Sequence, residues 1–140
     1  MVFMMSNVLI DKEYICPMNE GYIKKYVDFT PYTFGKNSVS NVVFPNRLTD
    51  TLVYSSITGK VTGVIKTKNW IRVQVSDDTF NATYFNLNTL KISKGSSLSK
   101  GEILGSISPI DGFLQFKLEN SKTNEVIKDC CKIKPISLSR

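Results

Sequence analysis

Three cysteines, a few carboxylates and no histidine set the chemical limits of this 140-residue chain. Asp77-Asp78, Asp111 and Glu119 carry groups that can move protons, and general acid–base work needs two of them held on either side of a reacting bond. No pair among them has a spacing that forces the two carboxylates together. A reactive Ser or Cys needs an adjacent base, most often imidazole, so the missing histidine removes Ser-His and Cys-His pairs, His-ligated zinc and a His general base together. Cys16, Cys130 and Cys131 fall short of the four ligands of a structural zinc site. They are also too few for a disulfide framework, and one is necessarily left over. A Cys130–Cys131 bridge would join Cα atoms about 3.8 Å apart, below the usual disulfide range. The expectation is therefore of reduced, mostly buried thiols in a reducing compartment, with no cofactor and no metal.

The elements that must position these residues read as strands. In residues 59–67, Val61, Gly63 and Ile65 alternate with Thr62, Val64 and Lys66. Ile71, Val73 and Val75 alternate with Arg72, Gln74 and Ser76, the period-two pattern of a half-buried strand. Asp77-Asp78 turns the chain into residues 80–87, and Lys94-Gly95 and Lys100-Gly101 punctuate two further turns. Residues 113–119 alternate again, with Phe113, Gln115, Lys117 and Glu119 on one face and Leu114, Phe116 and Leu118 on the other. Turn signals every 8–12 residues predict an all-β fold, a compact antiparallel sandwich or open barrel with few or no helices. Val61, Val73, Leu87, Ile103, Leu114, Phe116 and Leu118 are the expected core. Pro17, Gly21, Pro31 and Gly35 break the first 35 residues into short pieces, of which residues 20–26 form a candidate strand, and residues 36–50 read as a long polar loop.

Net charge is +6, all of it contributed by residues 60–140. No Lys/Arg run exceeds two residues and no aromatic nucleic-acid motif accompanies it, so a soluble surface is expected and a nucleic-acid partner is not. No apolar run reaches the roughly 20 residues of a membrane span. Residues 1–12 form an apolar extension ahead of a single domain at 13–140. The extension lacks a basic leader and a cleavage site, so no targeting signal is read and the cytoplasm of the producing cell is the expected location. Within it, Phe3, Met4, Met5, Leu9 and Ile10 are either an interface or an extra strand folded back on the domain.

From residue 53 the order of motifs resembles the LytM/lysostaphin-type zinc endopeptidase family. Residues 53–61, Val-Tyr-Ser-Ser-Ile-Thr-Gly-Lys-Val, are similar to its "v-y-a-p-x-d-G-k-V" strand. Tyr84-Phe85-Asn86-Leu87 stands where the family has Tyr-Ala-His-Leu. Residues 94–105 resemble its double Lys-Gly turn, and Leu114-Gln115-Phe116-Lys117-Leu118 stands at its Leu-His-Phe-Glu-Leu strand. Pro17 to Ile23 resembles the opening "P-x-x-G-x-I", and Phe34-Gly35 the following "F-G". The resemblance covers about residues 13–135 and implies that family's β fold.

The family's chemistry does not come with it. A gapless count from Val61 puts the His and Asp ligands of its His-x-x-x-Asp segment at Ser40 and Phe44. The His-x-His pair falls on Phe113 and Gln115, and the remaining catalytic His on Asn86. Neutral oxygen and nitrogen donors hold Zn²⁺ poorly and phenylalanine not at all. An apolar Phe113 beside Gln115 implies a groove that is packed shut or turned to binding, and Trp70, Tyr54 and Tyr84 read as packing residues ahead of sugar platforms. The implied function is that of a non-catalytic pseudo-peptidase used for protein–protein contact, with other protein subunits or further copies of itself as partners. A bacteriophage virion component of the tail is the first reading. The alternative is a peptidoglycan- or glycan-binding module, or a regulator of a cell-wall hydrolase.

Overall fold

The computed structural model describes residues 13–19, 22–28, 39–45, 50–110, 112–128 and 130–133. Among these there is no helix, as the alternating patterns require. The strands are β1 (Tyr22–Asp28), β2 (Val39–Phe44), β3 (Leu52–Tyr54), β4 (Gly59–Lys66), β5 (Ile71–Ser76), β6 (Phe80–Leu87), β7 (Thr89–Leu90), β8 (Ser97–Leu98), β9 (Ile103–Ser106), β10 (Leu114–Asn120), β11 (Val126–Ile127) and β12 (Lys132–Ile133). The larger sheet has the order β12-β1-β2-β10-β6-β5-β4-β8, with β11 paired to β10. The smaller one runs β3-β9-β7. Pairing is antiparallel except at β12, which lies parallel to β1.

One hydrophobic cluster joins the two sheets, taking Val53 and Leu104 from the small one and Val61, Val73, Tyr84, Leu114 and Phe116 from the large one. Tyr84 and Phe116 pack ring to ring at 5.1 Å, and both are fully buried. Burying a phenol obliges its hydroxyl to find a partner. The Tyr84 oxygen accepts the Ser56 backbone N–H at 2.8 Å and shares a hydrogen bond with Ser56 Oγ at 2.9 Å. Desolvation holds the Tyr84 phenol above its ordinary pKa of 10.0, against the opposing pull of the bonds to Ser56. That contact fastens the chain just after β3 to the middle of the large sheet.

Six of the seven expected core residues are buried, and Ile103 is not among them; Leu104 takes its place at 0% exposure. The ladder between β9 and β3 shifts register between Ile103 and Gly105, so simple alternation misassigns the inward residue. Gly105 is the close-approach point of this small sheet, because a Cβ there would overlap the Thr89 carbonyl of β7. A second bulge, between Val61 and Gly63, resets the phase of β4. Val64 then packs against the cluster while Ile65 is left 44% exposed, the reverse of the uniform alternation read from sequence.

Two larger corrections concern the N-terminal third and the cysteines. Residues 39–44, expected in a loop, form β2 in the interior of the large sheet, hydrogen-bonded to β1 on one side and β10 on the other. A strand buried on both faces loses its polar alternation, and Val39-Ser40-Asn41-Val42-Val43-Phe44 has no clean period to read. The thiols are not all reduced either, because Cys16 is disulfide-bonded to Cys131 across 115 residues, with Cα atoms 4.8 Å apart. Each cysteine's partner lies at the far end of the chain, so no local spacing announces it. On the chain-entropy account a loop of about 100 residues closed this way removes about 4–5 kcal/mol of unfolded-state freedom. The bridge holds the segment around Cys16, which also donates Ile15 N–H to the Ser56 carbonyl at 2.9 Å and accepts Tyr54 N–H at the Pro17 carbonyl at 2.7 Å.

Candidate functional site

The face of the large sheet turned away from the cluster carries the positions singled out in sequence. Register sets Val42 on β2, Gln115 on β10 and Phe85 on β6 side by side in one cross-strand row. Next to it, Lys117 on β10 is paired with Thr83 on β6. None of these five belongs to the hydrophobic cluster, as the alternation of β10 dictates. All of them are nonetheless buried, Gln115 to 1% exposure and Lys117 to 9%. Lys117 Nζ lies 3.6 Å from Glu119 Oε1, so this buried cation has a carboxylate beside it on its own strand.

Aromatic contacts and an amide lie beside this row. The Phe44 and Phe113 rings stand 6.0 Å apart, bringing together two positions distant in sequence, and both residues are half-buried. Trp70 packs on Phe85 with centroids 4.7 Å apart and is likewise half-buried. Asn86 sits at φ +78°, a left-handed conformation that asparagine tolerates better than most residues. Its Nδ2 donates to the Phe113 carbonyl at 3.0 Å, tying the end of β6 to the approach of β10. The backbone of Ser40 pairs with Val27 of β1, and its side chain lies outside the described residues. The structure therefore gathers Phe44, Asn86, Phe113 and Gln115 around one end of the β2-β10-β6 sheet. Phe3, Met4, Met5, Leu9 and Ile10 lie outside the described residues.

Zinc does not fit this donor set. Phe44 offers a ring, Gln115 a buried amide, and Asn86 commits its Nδ2 to a carbonyl. Among the described residues no three His, Cys, Asp or Glu side chains come together as a metal-binding group. Amides and aromatic rings offer neither a base near neutrality nor an activated nucleophile; what they offer is surface for packing and hydrogen bonding. Sequence reading singled out Asn86 and Phe113 but missed Phe85 and Val42 as members of the same row. The signal for Phe85 was present in Tyr84-Phe85-Asn86-Leu87, where a bulky ring stands at the family's alanine. Nothing in the sequence placed Val42, since its strand was read as loop.

Two cavities lie away from this row. One of about 550 Å³ is lined by Ile15, Cys16, Met18, Asn19, Tyr54 and Gly101. The other, about 470 Å³, is bounded by Lys60, Ser76, Asp77, Asp78 and Ser97 among others. Asp77 is occupied within its own turn, where Oδ1 accepts the Thr79 and Phe80 N–H groups at 2.7 Å each.

The architecture is that of the LytM/lysostaphin-type peptidases. Helicobacter pylori Csd3 superposes with a TM-score of 0.59 at 16% identity, over 87% of this chain and 33% of Csd3. A chain of the SpoIIQ–SpoIIIAH pore-forming complex gives 0.57 at 14% identity, over 90% of this chain and 94% of that one. Lysostaphin in solution gives 0.53 at 18% identity, over 88% of this chain and 60% of lysostaphin. This chain thus spans only about a third of Csd3's length but nearly all of the SpoIIQ–SpoIIIAH chain it matches. No family model matches the sequence, and no curated protein matches it. These likenesses show the fold.

Proposed function

We propose that this chain is a non-catalytic scaffold, a pseudo-peptidase whose LytM-type fold serves protein–protein contact. The observation that carries the reading is the Asn86–Phe113 tie over a buried Gln115, where the fold's catalytic members would need open imidazole and carboxylate donors. The likeness to a chain of a complex named for two proteins supports a contact role for such a domain. A place in a bacteriophage tail is the finer form of the proposal. The Cys16–Cys131 bridge supports a working location outside a reducing cytoplasm, since disulfides persist on virion and cell surfaces and are rare in the cytosol. The Trp70–Phe85 pair favours the second reading, a peptidoglycan- or glycan-binding module, because a partly exposed indole just ahead of β5, packed on a sheet residue, suits a sugar face.

Native mass spectrometry of the chain taken from its producing cell separates these readings. Stoichiometric association with another protein, or with copies of itself, is expected. Retention on insoluble peptidoglycan by an otherwise monomeric chain would favour the glycan reading. One zinc per chain after dialysis, or cleavage of a peptidoglycan cross-link, overturns both. Deleting residues 2–10 tests the apolar extension as the docking element. Loss of association with the fold intact supports docking there, and unchanged association rules it out.

A further inference from the structure

Cys130 stands outside the disulfide yet touches it. Its Sγ is 4.0 Å from Cys131 Sγ, and both residues are buried, at 9% and 8% exposure. At the other end of the bond Cys16 is half-buried and lines the open cavity of about 550 Å³. The three sulfurs are therefore asymmetric. One borders an open cavity, and the other two are adjacent in sequence, buried and in sulfur–sulfur contact. Disulfides exchange by attack of a thiolate on a disulfide sulfur, and access decides which sulfur is attacked.

We propose that the Cys16–Cys131 bridge is an exchangeable clasp, in which Cys130 and Cys131 compete for Cys16 with a small-molecule thiol as catalyst. In the first step the small thiolate attacks Cys16 Sγ. A mixed disulfide forms there, the Cys16–Cys131 bond breaks, and Cys131 leaves with the electron pair and takes up a proton. In the second step Cys130, its proton given to solvent, attacks Cys16 Sγ. The Cys16–Cys130 bond forms and the small thiolate departs unchanged. One disulfide replaces another, one proton moves from Cys130 to Cys131, and nothing is oxidised or reduced overall.

The consequence lies in the strand that follows. β12 begins at the residue after Cys131 and pairs in parallel with β1, Lys132 against Tyr22 and Ile133 against Ile23. Moving the anchor from Cys131 to Cys130 lengthens by one residue the span between the covalent tether and β12. The clasp would thereby couple ambient thiol to how tightly the sheet's β12 margin is held.

The experiment uses the full oxidised chain incubated with reduced glutathione at mildly alkaline pH, quenched with acid, thiol-blocked and digested. Tandem mass spectrometry of the peptide spanning 129–132 then locates the blocked thiol. The expected result is a block shared between Cys130 and Cys131 with glutathione, and confined to Cys130 without it. Cys130→Ser should abolish the second isomer, and Cys131→Ser should still close a single bridge, to Cys130. A block confined to Cys130 under all conditions overturns the proposal, as does a Cys131→Ser chain that stays folded yet keeps both thiols under oxidising conditions. Should Cys131→Ser fail to fold, the mapping on the unmodified chain decides alone.

Discussion

The two faces of β10 meet different surroundings, though both are buried. Leu114, Phe116 and Leu118 enter the cluster shared by both sheets, which is hydrophobic and in which the Tyr84 hydroxyl is satisfied by Ser56. Gln115 and Lys117 face the other way, toward Val42, Phe85 and Thr83, in a row of mixed chemistry with aromatic contacts beside it. The cluster that unites the sheets contains none of Phe44, Asn86, Phe113 and Gln115. The face that unites the sheets is therefore distinct from the face that carries Gln115.

Substitutions sharpen or break this contrast. The largest effect is expected at Phe116→Ala, about 3–5 kcal/mol, as for other buried aromatics truncated in a well-packed core. An unchanged denaturation midpoint would put the cluster on the wrong face. Tyr84→Phe keeps the ring but strands the Ser56 N–H, and about 1–3 kcal/mol should be lost in chemical denaturation. The same phenol gives a pH signature. Its folded-state pKa lies above 10.0, so its contribution is full below pH 10.0. Above that the unfolded chain sheds its phenolic proton first, and stability falls as pH climbs toward the folded-state value. A melting temperature that holds level there while Tyr84→Phe falls would contradict this.

Smaller effects belong to the groove face and the sheet surface. Phe113→Ala removes a half-buried ring and its contact with Phe44, and about 1–2 kcal/mol is expected. A loss equal to that of Phe116→Ala would make the groove face part of the structural core and dissolve the comparison. Ile65→Lys should change stability by less than about 0.5 kcal/mol, since the β4 bulge turns this residue outward. A loss of several times that amount would return β4 to uniform alternation.

Legibility in the sequence followed the same division. Ile71, Val73 and Val75 alternate cleanly because β5 has one apolar and one wetter face, and each of the three is buried as expected. Alternation failed at Ile65 and Ile103, where a bulge in the residue's own strand shifts the phase of the side chains beyond it. It failed at Val39–Phe44 for the opposite reason, since an interior strand flanked on both sides need not alternate. Asn86, Phe113 and Gln115 were singled out through ordered motifs, and the structure brings the three to one end of the sheet.

By itself the sequence determined the strand chemistry and the absence of any imidazole, because these depend only on residue type and short-range period. Tertiary structure alone decided that Cys16 meets Cys131, that Val42 and Phe85 flank Gln115, and that Asn86 binds the Phe113 carbonyl. Each of those contacts joins residues far apart along the chain. Such pairs leave no local pattern, since sheet register and bulge placement are set by how the whole core packs.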